Sequence, residues 1–257
     1  MENELHTALI QTELVWEDPQ SNRSMLEDKL KTLGSKVDLI ILPEMFTTGF
    51  SMNPATCFET MDGESLKWLK QMASKLNAAI CGSLIIKESG RFYNRFVFVD
   101  PDGSVTHYDK RHTFTLAGED KAYSPGNQKV ILSYMGWKIC PLICYDLRFP
   151  VWSRNTEDYD LLIYVANWPD KRVLAWDTLL RARAIENLVY TIGVNRVGHD
   201  GEQIDYSGHS AVYDPLGNLL SFSEKDEILL TTLTKSAILK YRNQLRFLQD
   251  RDQFTVK

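Results

Sequence analysis

Lys138-Ile139-Cys140-Pro141-Leu142-Ile143-Cys144-Tyr145-Asp146-Leu147-Arg148-Phe149-Pro150 is an apolar, strand-like run that turns polar at one cysteine, Cys144. A thiol at the end of a buried strand has a rigid mount and can still reach a cleft, which suits a nucleophile. A core thiol is the alternative for any lone cysteine, because free cysteine is among the most buried residue types. Two further segments share the form. Val37-Asp38-Leu39-Ile40-Ile41-Leu42-Pro43-Glu44 is an apolar run ending in a carboxylate, and His107-Tyr108-Asp109-Lys110-Arg111-His112 follows the strand-like run 90–99 and a Pro101-Asp102-Gly103 turn. A carboxylate, an ammonium and a thiol therefore each fall at a strand end, where open α/β sheets build their sites. Together they favour the site over the core reading of Cys144.

Around these segments the chain alternates strand and helix signals. Residues 8–14 read as a first strand, and Leu26, Leu30 and Leu33 recur at helical spacing with Gly34 behind them as a C-cap. Residues 39–42 form a short buried strand; Leu66, Leu69, Met72 and Leu76 mark a second helix, followed by a strand over 80–86. Strands 91–99 and near Thr106 flank the turn Asp100-Pro101-Asp102-Gly103, and a similar hairpin joins 210–213 to 219–222 across Asp214-Pro215-Leu216-Gly217-Asn218. Strands at 161–165 and 189–194 are joined by a helix over 173–187. Such alternation argues for a layered α/β fold. No linker, repeat or low-complexity tract interrupts the 257 residues, so one domain over 1–257 is expected.

With 44% apolar residues the chain can bury a substantial core, and 29 basic against 34 acidic residues give a net charge of −5. Basic residues do not cluster beyond pairs, so nothing points to nucleic acid or an anionic membrane. Met1-Glu2-Asn3-Glu4-Leu5-His6 lacks the basic start and apolar run of a signal peptide, and stretches such as 161–166 are too short to span a bilayer; a cytoplasmic protein is expected. Cys57, Cys81, Cys140 and Cys144 form no Cys-x-x-Cys and stand at no zinc-finger spacing from a histidine, so neither a structural metal nor a disulfide framework is expected. Cys81 and Cys140 read as core; Cys57 stands in a loop, its role open.

Leu42-Pro43-Glu44-Met45-Phe46, Tyr108-Asp109-Lys110-Arg111-His112 and Cys144-Tyr145-Asp146-Leu147-Arg148-Phe149-Pro150 resemble, in order and spacing, the three motif regions of the nitrilase (carbon–nitrogen hydrolase) superfamily. Val165-Ala166-Asn167-Trp168-Pro169 and Arg181-Ala182-Arg183-Ala184-Ile185-Glu186-Asn187 extend the likeness over nearly the whole chain. Thr47-Thr48-Gly49-Phe50-Ser51-Met52, Val151-Trp152-Ser153-Arg154-Asn155 and Gly193-Val194-Asn195-Arg196-Val197-Gly198 look most like the omega-amidase branch. The resemblance implies an α-β-β-α sandwich, a homodimer, no metal or organic cofactor, and a small carboxamide substrate such as the ω-amide of a 2-oxo acid. Other amides (deaminated glutathione or an N-carbamoyl amine) and a non-catalytic scaffold keeping the fold are the alternatives. An aromatic and apolar surface around Trp152, Trp176 and residues 245–254 fits the dimer.

On this reading Cys144 attacks an amide carbonyl, Lys110 and the Tyr145 N–H stabilise the oxyanion, and Glu44 is the acid and base, as a carboxylate shielded from water can be. Lys110 and Glu44 together favour an ionised Cys144 when substrate arrives. Glu119 in Leu116-Ala117-Gly118-Glu119-Asp120 is the candidate second carboxylate, with Asp120 adjacent, and the flexible Gly118 with 123–126 suggests a loop over the pocket. Arg148 has two readings: it pairs with Asp146 and braces the turn, or it receives a substrate carboxylate through its planar fork. Tyr145, Trp168 and Phe46 are candidate pocket neighbours, with core packing open for Phe46. A Cys-His enzyme would instead need one of His107, His112, His199 or His209 at the thiol, and Asn195 and Arg196 read as structural or interfacial.

Overall fold

The computed structural model describes residues 4–34 and 36–256; Met1, Glu2 and Asn3, the start of the acidic segment discussed above, lie outside the described residues. The first half comprises β1 (Glu4–Gln11), α1 (Pro19–Lys31), β2 (Leu39–Ile41), α2 (Pro54–Cys57), α3 (Glu64–Leu76), β3 (Ala79–Glu88), β4 (Arg91–Val99) and β5 (Val105–Asp109). The second comprises α4 (Glu119–Ala122), β6 (Leu132–Tyr134), β7 (Trp137–Ile143), α5 (Pro150–Ser153), β8 (Leu161–Val165), α6 (Val173–Asn187), β9 (Tyr190–Val194), β10 (Val197–His199), β11 (Asp205–Ser207), β12 (Ser210–Tyr213), β13 (Leu219–Ser223), β14 (Glu227–Thr234) and α7 (Lys235–Leu245).

Two six-stranded sheets result, ordered β14-β1-β2-β3-β4-β5 and β13-β12-β9-β8-β7-β6. Each has a parallel centre, β1-β2-β3 in one and β7-β8-β9 in the other, with antiparallel strands outside. The parallel strands are buried on both faces, which explains their unbroken apolar runs. Alternation divides each strand of the first sheet: Leu5, Leu9, Cys81, Phe96 and Phe98 join Ile139, Leu142 and Ile163 in the core between the sheets. Ala8, Ile10, Ile80, Val97 and Val99 face the other way, onto Leu26 and Leu30 of α1 and Leu66, Leu69 and Met72 of α3. The outer face of the second sheet is covered by α6, which lies so close to β9 that a Cβ at Gly193 would meet Leu180 at 2.4 Å. These layers form the α-β-β-α sandwich. Pro141 is tolerated inside β7 because β6 pairs only with Trp137 to Ile139, leaving that edge without a ladder partner at the proline.

Several boundaries differ from the sequence reading. The first strand runs Glu4–Gln11 rather than 8–14, because β14 pairs along its whole length, from Thr234 opposite Glu4 to Glu227 opposite Gln11. Gly34 does not cap α1. The helix ends at Thr32, whose N–H and hydroxyl both donate to the Lys29 carbonyl, so no left-handed residue is required. At the other end Asp18 accepts the Ser21 N–H and Pro19 fills the first position. Trp152 and Trp176, expected at an interface, are buried within the chain; their indole N–H groups donate to the Tyr108 hydroxyl and the His209 carbonyl. Among the described residues no helix is long and apolar enough to cross a membrane.

Burial sets an alkaline limit on stability. It raises the thiol of Cys81 and pushes that of Cys140 up to about 12, and it raises the phenols of Tyr108, Tyr159 and Tyr164. The unfolded chain releases these protons near the ordinary thiol and phenol values, roughly 8.5 and 10. A raised folded pKa means that the stabilisation is complete below those values and is lost as pH rises above them. The melting temperature should hold from pH 7 to 8 and fall steadily between pH 9 and 11, each such group costing about 1.4 kcal/mol per pH unit beyond its unfolded value. Cys140→Ala should lower stability at neutral pH by about 1–2 kcal/mol and flatten the first part of that fall; thermal melts across the pH series check both.

Candidate active site

Four strand ends converge where the two sheets meet. Glu44 follows β2 by three residues, Lys110 follows β5, Cys144 follows β7, and Asn167 follows β8 by two residues. Two of these junctions are sharp. Cys144 has φ +44° and opens a 3₁₀ turn, Cys144–Arg148; Met45, directly after Glu44, also has φ +44°. Left-handed backbone at a non-glycine residue costs free energy and persists only where its surroundings enforce it. Asp146 supplies that enforcement at the thiol. Its carboxylate accepts the Ile143 N–H, the His112 N–H and the Tyr108 hydroxyl, and pairs with His112 Nδ1 at 2.8 Å.

The Lys110 ammonium is fully buried between two buried carboxylates. Nζ lies 2.9 Å from Glu44 Oε1 and 2.9 Å from each Glu119 oxygen. Asn94, on β4, donates its amide to Glu44 at 2.7 Å and to Glu119 at 3.2 Å, and accepts from Ser83. The Asn167 N–H donates to Glu44 Oε2 at 2.8 Å, and the Asn167 side chain donates to the Glu44 carbonyl at 2.7 Å. Glu44 is thereby fixed in orientation through both oxygens and its own backbone. Lys110 is seated by backbone bonds to Asn94 and Gly126, and Arg95 locks the preceding Asp109 through a two-pronged ion pair.

These charges set the protonation pattern. Burial opposes a charge on Lys110, but Glu119 and then Glu44 outweigh it and hold the ammonium above its ordinary value. Burial raises Glu119, with Lys110 opposing and Glu44 reinforcing. Burial raises the Cys144 thiol, the Glu44 charge adds to this, and Lys110 works against both. In the substrate-free site the thiol therefore rests protonated. Its sulfur lies 4.0 Å from the Asn167 carbonyl. His112 is not its base; its ring stacks on Phe149 at 3.7 Å and turns Nδ1 to Asp146.

Cys144 opens onto a small cavity of about 70 Å³. Its walls include Tyr145, Trp168 and Arg148, as expected, together with Phe50, Phe114, Arg172 and Tyr206, which sequence reasoning missed. Arg148 does not pair with Asp146, whose oxygens are already taken; its guanidinium lies over the Trp168 ring, 4.9 Å from the centre. Phe46 is not in the cavity. It is fully buried in the helix-facing core, 6.1 Å from the Trp68 ring, because the left-handed turn at Met45 directs it away from the thiol. Glu119, not Asp120, meets Lys110; Asp120 is exposed. The segment 123–126 does not cover the cavity. Tyr123 is buried and donates to the Ser51 carbonyl, and Gly126 lies so close to Asp109 that a Cβ would meet its carbonyl at 2.1 Å. Phe114 and Ala117 form that wall instead. Cys57 ends α2 and lies buried in a small cluster with Met45, Ile85 and Tyr123. Asn195 and Arg196 are structural: the Asn195 side chain bridges Trp168 and Gly208, and Arg196 binds the carbonyls of Leu14, Val197 and His199. A signal for Asn94 was present, since Asn94 and Arg95 are two adjacent polar residues that interrupt the aromatic and aliphatic run 92–99.

The carbon-nitrogen hydrolase family model matches residues 6–243. An omega-amidase, YafV, of Escherichia coli (strain K12) is 43% identical over 254 residues, 98% of each chain. A 2-oxoglutaramate amidase of Bacillus subtilis is 32% identical, covering 85% of this chain and 86% of its own. The crystal structure of a CN-hydrolase superfamily protein from Xanthomonas campestris, with an arsenic adduct in its active site, superimposes with a TM-score of 0.97 at 41% identity and 99% coverage of both chains. The chain belongs to the carbon–nitrogen hydrolase family of the nitrilase superfamily, is an amide-hydrolysing enzyme, and within that family resembles the omega-amidases.

Proposed function

We propose that the enzyme is an ω-amidase, cleaving the terminal carboxamide of a small 2-oxo dicarboxylic monoamide such as 2-oxoglutaramate to carboxylate and ammonia. The observation that carries this reading is the pairing of a buried Glu44–Lys110–Cys144 constellation with Arg148, which makes no ion pair among the described residues and faces the same cavity. The names of the E. coli and B. subtilis relatives support it.

In this mechanism Cys144 attacks the amide carbon as its proton passes to Glu44. The developing oxyanion is met by Lys110 and by the N–H of Tyr145, which, as the second residue of a 3₁₀ turn, has no acceptor within the turn. Collapse of the intermediate breaks the C–N bond, and protonated Glu44 gives its proton to the departing ammonia. Water, deprotonated by Glu44, then attacks the thioester and the thiol is restored. Glu119 holds Lys110 charged and in place throughout. A thiol that rests protonated beside a fixed carboxylate suits transfer in concert with attack. We read the chain as one catalytic unit, and its four free cysteines suit a reducing, cytoplasmic setting.

Cys144→Ala should abolish ammonia release with the melting temperature little changed; turnover above background in the purified variant would remove Cys144 from the mechanism. Glu44→Gln should be similarly inactive and, lacking both the base for the thiol and the acid for the departing ammonia, should accumulate no acyl adduct; a thioester seen by mass spectrometry of the intact variant with substrate would remove Glu44 from the acylation step.

Arg148 should read the distal carboxylate. The methyl ester of a monoamide substrate should lose about 1–3 kcal/mol in kcat/KM relative to the acid, Arg148→Lys should cost a similar amount, and the two losses should not add. Equal rates for ester and acid in the native enzyme would overturn the carboxylate reading.

We further propose a homodimer. With Trp152 and Trp176 buried, the surface that supports it is the exposed apolar set Val151, Leu245, Phe247 and Phe254, the last three from the carboxy-terminal segment. Light scattering at micromolar concentration should give twice the 29.6 kDa chain mass, and Phe247→Glu should shift it toward one.

A further inference from the structure

The cavity carries a second cation that the mechanism above does not use. Arg172 ends the 3₁₀ turn Asp170–Arg172 that leads into α6. Its guanidinium lies 5.1 Å from the ring centre of Phe114, and both residues line the cavity. Like Arg148, it forms no ion pair among the described residues. Its position is anchored from behind, since its backbone carbonyl accepts the Trp168 indole N–H at 2.8 Å, and Trp168 in turn supports the Arg148 guanidinium. One indole thus ties together the mounts of both arginines. Two guanidinium groups in a mainly aromatic cavity, neither neutralised by a protein carboxylate, are an unbalanced arrangement unless the ligand supplies more than one acceptor.

Resting on the ω-amidase reading, we propose that Arg172 is a specificity-determining residue that reads the atom on the carbon next to the substrate carboxylate. Arg148 takes the carboxylate, and Arg172 donates to an oxygen at the 2-position. Such an arrangement selects by charge as well as by fit. A 2-oxo or 2-hydroxy group accepts from a guanidinium. A 2-ammonium group, as in the free ω-amide amino acids, has no lone pair to offer and brings a third positive charge beside two others. A ligand with hydrogen at the same carbon leaves Arg172 solvated and loses only the added bond.

The test compares ammonia release from three monoamides of equal length that differ only at the 2-position: glutaramate, 2-oxoglutaramate and glutamine. The native enzyme should prefer the 2-oxo compound and disfavour glutamine. Arg172→Gln should lower kcat/KM for the 2-oxo compound by about tenfold or more while changing glutaramate by less than about threefold. Arg172→Glu should raise the ratio of glutamine to 2-oxoglutaramate turnover by at least about tenfold, because it replaces repulsion of the ammonium with attraction. Arg148→Gln, by contrast, should lower the two acids lacking the ammonium together. Equal losses on glutaramate and the 2-oxo compound in Arg172→Gln, or no loss on either, would overturn the proposal. If the native enzyme keeps its preference for the acid over the methyl ester in that event, only the role of Arg172 falls; if it shows no such preference, the ω-amidase reading falls as well.

Discussion

A buried ammonium held between two buried carboxylates is the constraint around which this molecule is organised. Removing a lysine and two glutamates from water is costly, and the cost is offset only when every oxygen and every N–H has a partner at close range. Meeting that condition recruits residues from across the chain: Asn94 from β4, Asn167 from the end of β8, the Phe114 N–H and, behind them, Ser83 and Arg95. The two sheets are joined here by polar bonds as well as by their shared apolar core, because Glu44, Lys110 and Asn94 come from one sheet and Asn167 from the other. Deleting Lys110 leaves two buried carboxylates without their cation, and deleting a neutral partner leaves a carboxylate oxygen short of a hydrogen bond.

The backbone at the strand ends serves the same arrangement. Left-handed turns at Met45 and Cys144 bend the chain within one residue, which lets a rigid strand present a side chain at its tip and then leave. Asp146 holds the turn after Cys144 by four contacts, of which Tyr108 and His112 come from the segment that carries Lys110. The mount of the thiol and the mount of the ammonium are therefore one structure. A shift in either would be felt at the other, which is how a site keeps reacting groups within a fraction of an ångström.

The parts of this site legible in the sequence are those whose chemistry sits at the tip of a strand. Glu44, Lys110 and Cys144 each end an apolar run, and that local pattern survives in one dimension. The motifs also give Glu119, since it lies close to Lys110 along the chain, though only the fold separates it from Asp120. Arg172 and Tyr206 reach the cavity from a helix lead-in and a hairpin, and no local pattern distinguishes them from surface residues. Phe46 was misplaced for a related reason: closeness in sequence to Glu44 does not survive a left-handed residue between them. Arg148 and Asp146 stand two residues apart and of opposite charge, yet Asp146 is satisfied by partners more than thirty residues away. Helix and strand positions were largely legible because the apolar period determines them. The end of α1 was not, because a threonine hydroxyl did the capping expected of a glycine.

One turn also fixes the spacing between the thiol and the cation proposed to receive the substrate's carboxylate. Cys144 and Arg148 are the first and last residues of the same 3₁₀ segment, so their separation is fixed by backbone geometry rather than by a mobile loop. Four residues at about 2 Å rise place their Cα atoms roughly 8 Å apart along the turn. The Trp168 face supports the Arg148 guanidinium from one side, and both residues line the cavity. On the proposed ω-amidase reading, the fully bonded end is where the amide reacts, and the aromatic end with Arg148 and Arg172 is where the polar tail binds. On that reading, the strand, the turn and the indole let the enzyme measure its substrate from a fixed point, the thiol, to a fixed charge.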